Sequence, residues 1–185
     1  MLLIAAFVFA GCGRPVKETP AEYMPGTKDA PFRVSFRVNF FPVQKALWIE
    51  DAGGNYVKTL HISEWLRGYG EEFQVLTDWV DASKEARGRK THEEIDAFTE
   101  ATLRAREQKF IYGWDLTDWR GEKVPEGKYM VILQCDGAEG IVVTWSAEIN
   151  IGDGPVRAEM TPSPAEMPQG LDHYVEEAVV EYSPL

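Results

Sequence analysis

Cysteine and histidine are scarce in this chain, and their scarcity narrows the chemistry it can carry. Cys12 and Cys135 are the only two cysteines among 185 residues, too few for a disulfide framework or a thiolate metal site. The three histidines, His61, His92 and His173, lie far apart in unlike contexts, so no metal site is expected. Positive charge is also short. Lys and Arg number 19 against 30 Asp and Glu, which leaves a formal net charge of −11. Such a chain repels phosphate backbones, which argues against nucleic acid as a partner. A Gly-rich phosphate loop, a Gly-x-Ser-x-Gly elbow, His-Glu-x-x-His and paired Cys-x-x-Cys are all missing. No catalytic residue is therefore assigned, and an enzymatic activity is not expected.

The first twelve residues, MLLIAAFVFAGC, form an apolar run that ends in small residues before a cysteine. The run is too short to span a bilayer and reads as a signal peptide, to be set aside from the fold. Phe9-Ala10-Gly11-Cys12 resembles a bacterial lipobox, which implies cleavage before Cys12 and lipidation of its thiol. The membrane is then a partner through the lipid anchor. Gly13, rather than Asp, follows the cysteine, which implies the periplasmic face of the outer membrane in a Gram-negative cell. Residues 13–31 are rich in Pro, Gly, Lys, Glu and Thr without periodicity and read as a flexible tether. Residues 32–185 are then a single domain, long enough to bury a core.

That domain opens on alternation. Phe32, Val34, Phe36, Val38 and Phe40 alternate with polar residues, the period of a strand with one wet face. KALWIED (45–51) and NYVKTLHI (55–62) flank Ala52-Gly53-Gly54, a hairpin signal. Residues 72–82 fit either a strand or a helical turn, and KEARGRK (84–90) reads as a solvated loop. Thr91-His92-Glu93-Glu94 matches a capping box, and Ile95, Phe98, Ala101, Thr102 and Ala105 then share one helical face. A helix over about 92–107 is expected, lying across the sheets. Ile141, Val143, Trp145, Ala147 and Ile149 alternate again. Residues 152–170 read as irregular, and 175–182 as the closing strand.

Between the two alternating regions stands Trp114-Asp115-Leu116-Thr117-Asp118-Trp119-Arg120-Gly121, followed by Val124-Pro125-Glu126-Gly127-Lys128-Tyr129. Asp115 and Asp118 suit a turn in which carboxylates bond nearby backbone, and Gly121 and Gly127 supply turn dihedrals. Val124 before Pro125 is pushed toward extended geometry, the start of the next strand. This motif resembles the immunoglobulin-like module of the flagellar hook-capping protein. It also resembles the domain-of-unknown-function 2271 family of predicted periplasmic proteins, as does the hairpin Leu47-Trp48-Ile49-Glu50-Asp51. The resemblance implies a mainly β, immunoglobulin/fibronectin-III-like antiparallel β-sandwich with one crossing helix.

Asp96-Ala97-Phe98-Thr99-Glu100-Ala101-Thr102 resembles the target motif of the bacterial flavin transferase, Asp-x-x-Thr/Ser-Gly-Ala-Thr. That enzyme joins FMN through a phosphoester to the last threonine, here Thr102. Asp96, Thr99, Ala101 and Thr102 match, while Glu100 replaces glycine and sets a negative charge where a phosphate must approach. Two function classes follow. In the first, favoured by the capped helix, the chain is a non-enzymatic envelope lipoprotein without cofactor that binds an envelope protein or packs in an assembly. In the second, it serves extracytoplasmic flavin-based electron transfer with covalent FMN on Thr102, and a flavin transferase or membrane reductase as partner.

Overall fold

Strands that put every second side chain into a core build most of this molecule, because each needs one dry face and one wet one. The computed structural model describes residues 21–23, 29–38, 44–63, 76–87, 98–100, 108–136, 141–163 and 174–184. Among them the strands are β1 (Ala21–Tyr23), β2 (Phe32–Val38), β3 (Gln44–Asp51) and β4 (Tyr56–Ser63). Then come β5 (Phe98–Glu100), β6 (Gln108–Trp114), β7 (Gly127–Asp136) and β8 (Val142–Ile151). The last are β9 (Val156–Glu159), β10 (Thr161–Ser163) and β11 (Val175–Tyr182), and α1 (Thr77–Arg87) is the helix. One sheet has the order β1-β6-β2-β11-β9 and the other β10-β8-β7-β3-β4-β5. Pairing is antiparallel except at β1–β6 and β4–β5.

The two sheets close face to face as a mainly β sandwich. Phe32, Val34 and Phe36 of β2 are fully buried, and Phe110, Tyr112 and Trp114 of β6 lie beside them. Across the interface stand Leu47 and Ile49 of β3, Val131 and Leu133 of β7, and Trp145 and Ile149 of β8. A second apolar layer covers the outer face of the six-stranded sheet. There Leu76, Trp79 and Val80 at the start of α1 pack on Ala46, Trp48, Tyr56 and Ile62. The Trp79 indole donates to Thr59 Oγ1 at 3.0 Å, so its polar edge is satisfied as the ring is buried.

Several sequence expectations are corrected here. The helix is α1 at Thr77–Arg87, which also takes in residues 84–87 of the expected charged loop. Within the expected 92–107 helix, Phe98–Glu100 is instead the strand β5, paired in parallel with His61–Ser63. The rest of that segment lies outside the described residues. Helical periodicity is a local preference, and at 98–100 sheet pairing across distant sequence overrides it. Ala21–Tyr23, expected within a flexible tether, pairs with Lys109–Ile111. The stretch expected to be irregular after residue 152 supplies β9 and β10, since β11 and β8 offer their edges to it.

Candidate functional site

At the end of the sandwich where β6 runs out, the chain must turn back into β7, and local hydrogen bonds fix how. Trp114 is 1 % exposed, and its Nε1 donates to the carbonyl of Thr117 at 2.7 Å. Asp115 Oδ1 accepts from the Thr117 amide at 3.1 Å, the Thr117 hydroxyl at 2.7 Å and Lys58 Nζ at 3.0 Å. Burial alone would raise the Asp115 carboxyl, but the bonds from Thr117 and Lys58 outweigh it and hold the group below its ordinary range. Asp118 Oδ1 accepts from the amides of Arg120 and Glu122 at 2.8 and 2.9 Å. Gly121 has φ +82° and Gly127 +145°, dihedrals that a side chain disfavours. The Val124 amide returns to Leu116 O, and the Tyr129 hydroxyl donates to Pro125 O at 2.7 Å. The last contact resembles the tyrosine corner of immunoglobulin-like sandwiches. Trp119 N bonds Val57 O at 2.8 Å, which ties the loop to β4.

The loop also shapes a cleft of about 520 Å³. Pro31, Leu116, Ile151 and Tyr182 give it apolar walls, and Asp29, Lys123 and Glu126 stand among its charged lining. Leu116 holds φ +59°, a left-handed conformation that is strained for leucine. Its neighbours' hydrogen bonds keep it there.

The opposite end of the sandwich carries the other motif. Thr99 lies in β5 opposite Ile62, and Glu100 opposite Ser63. Asp96, Ala101 and Thr102, like Cys12, lie outside the described residues. Beside β5, His61 is fully buried and its ring lies tilted against Tyr112, with centroids 4.8 Å apart. Neither ring nitrogen has a hydrogen-bond partner among the described residues. Burial first, and then the charge of Lys45, holds its pKa well below the ordinary histidine value. Lys45 Nζ itself lies 4.5 Å over the Phe110 ring. Cys135, opposite Lys45 on β7, is a buried free thiol. Burial pushes its pKa up to about 12, so it stays protonated at neutral pH.

Sequence reasoning gathers the turn residues but misses Lys58 and Thr117, which complete the Asp115 network. It also misses His61, which sits on a strand pattern that gives no sign of missing partners. Among the described residues, no group of three or more His, Cys, Asp or Glu side chains is placed to hold a metal ion.

Against known proteins, a family model described as a predicted periplasmic protein, DUF2271, matches residues 44–158. The match takes in the β3–β4 hairpin, the β5 segment and the whole Trp114–Tyr129 turn. No curated protein and no solved structure matches.

Proposed function

The chain belongs to the DUF2271 family of predicted periplasmic proteins, and we propose on that footing that it is a non-enzymatic cell-envelope lipoprotein that binds or assembles with an envelope protein. Its working end is the cleft beside the Trp114–Tyr129 turn, and its anchor is a lipid on Cys12. The observation that carries this reading is the state of the turn carboxylates. Asp115 and Asp118 are engaged by backbone amides, a hydroxyl and a lysine, so they hold a recognition surface in shape. An open cleft with apolar walls and charged residues beside it suits a polypeptide partner.

Two measurements test the proposal. Cys12→Ser is expected to move the mature protein from the membrane to the soluble fraction; unchanged fractionation would sink the anchor. A photo-crosslinking residue at Lys123, in the cleft, is expected to give one discrete adduct in cells. The same residue at Glu148, on the outer face of β8, is expected to give none. Equal labelling from both positions would remove the cleft from the proposal.

A second reading is favoured by β5. Phe98–Glu100 is extended, and β5 is the outermost strand of its sheet. A segment held at a sheet edge by a few backbone bonds opens to a modifying enzyme at lower cost than a packed helix face. Such an opening would let a flavin transferase place the Thr102 hydroxyl on the flavin-side phosphate of a flavin dinucleotide. The new O–P bond forms as the pyrophosphate bond breaks, and the nucleotide monophosphate leaves with the hydroxyl proton. Glu100 opposes this by charge repulsion. After co-expression with a flavin transferase, intact mass and in-gel fluorescence decide. An adduct lost in Thr102→Ala makes the chain a covalent FMN carrier. No adduct on the native chain but one on Glu100→Gly shows that this single residue disables the site.

A further inference from the structure

The outer face of the six-stranded sheet carries a row of oxygen atoms that no described residue satisfies. Gln44 of β3 stands opposite Asp136 of β7, and Gln134, two places back on β7, lies on the same face. Gln134 is only 2 % exposed. Its amide nitrogen donates to Asp78 Oδ2 of α1 at 2.7 Å and to Thr144 Oγ1 of β8 at 3.2 Å. Its Oε1, the Oε1 of Gln44 and the Oδ1 of Asp136 are sealed from solvent and accept no hydrogen bond from the described residues. Leaving one such acceptor unpaired is costly, and three in one row call for a shared explanation. No ion pair of Asp136 with Lys, Arg or His occurs among the described residues, and burial holds its carboxyl above the ordinary range.

We propose that this row binds a hard divalent cation of calcium size, held by Asp136 and the side-chain carbonyls of Gln44 and Gln134. Asp78, by accepting from the Gln134 amide nitrogen, fixes which way the Gln134 carbonyl faces. The donor set is all oxygen, two amide carbonyls with one carboxylate, and water completes the shell. Calcium accepts such a mixed, irregular set, whereas magnesium demands near-octahedral geometry and sheds water reluctantly. The ion neutralises the buried carboxylate and ties β3 to β7 beside the start of α1.

Terbium emission on tryptophan excitation provides the test, since Trp48 and Trp79 lie on this same face. The full mature chain is expected to sensitise terbium with saturation at one equivalent, and calcium is expected to compete the signal away. Calcium alone is expected to raise the melting temperature relative to a chelator. Asp136→Asn, which keeps the shape, is expected to weaken calcium binding by about tenfold or more. Gln44→Leu replaces an unpaired acceptor with an apolar group. It is expected to melt no lower than the native chain in chelator, yet to lose most of the calcium shift. Sensitised emission that Asp136→Asn and Gln44→Leu leave unchanged would overturn the site. So would a melting temperature that calcium does not move, with buried water then serving the three oxygens.

Discussion

Trp114→Ala is expected to cost about 3–5 kcal/mol of stability in urea melts, the range for large aromatic truncations in cores. The ring lies at the foot of the turn, edge-on to Phe32 at 5.3 Å and to Tyr129 at 5.3 Å. Removing it opens a cavity between β2, β6 and β7. It also strips the Thr117 carbonyl of its indole donor, and Thr117 is half of the network that fixes Asp115. Trp114→Phe keeps most of the packing but leaves that carbonyl unpaired, so an intermediate loss of about 1–3 kcal/mol is expected. Tyr129→Phe deletes only the bond to Pro125 O and should lose about 1 kcal/mol. A loss well under 1 kcal/mol for Trp114→Ala would mean that the turn does not depend on the ring.

The second large effect is one of pH. His61 is buried with no hydrogen-bond partner among the described residues, and its folded pKa is depressed well below 6.5 by burial and by Lys45. The unfolded chain therefore binds a proton near pH 6.5 that the folded chain refuses. Stability is fully present above that pH and falls as pH drops through and below it, by up to about 1.4 kcal/mol per unit for this one group. Asp51 and Asp115, whose folded pKa values are lowered, act in the same direction but only below about 3.8. Asp136, whose folded carboxyl is raised by burial, acts in the opposite sense as pH falls, so urea melts between pH 7.5 and about 5 are read as the difference between the native chain and a His61 variant. His61→Leu is expected to flatten the profile in that window and, by removing two unpaired nitrogens, to leave stability at neutral pH unchanged or raised. A slope that persists in His61→Leu would assign the proton to another group.

Local patterning carried the sandwich. Alternation in Phe32–Val38 and Val142–Ile151 appears as alternating burial, because the side-chain period of a strand is two whatever its partner. The Trp114–Tyr129 turn was legible for a related reason. Its bonds, Asp115 to Thr117, Asp118 to Arg120 and Glu122, and Tyr129 to Pro125, each span no more than four residues, so the sequence states them directly. Tertiary structure decided what depends on a distant partner. Residues 98–100 share a helix-like pattern but become strand because His61–Ser63 offers an edge. Thr77–Arg87 becomes the helix because Trp79 and Val80 have the outer sheet face to cover. His61 loses its protonation freedom only when Tyr112 and Lys45 close over it. Gln44, Gln134 and Asp136 form a row only through the β3–β7 register. A hydrogen bond or dry contact across dozens of residues leaves no mark on the sequence between them, and there the fold had to speak.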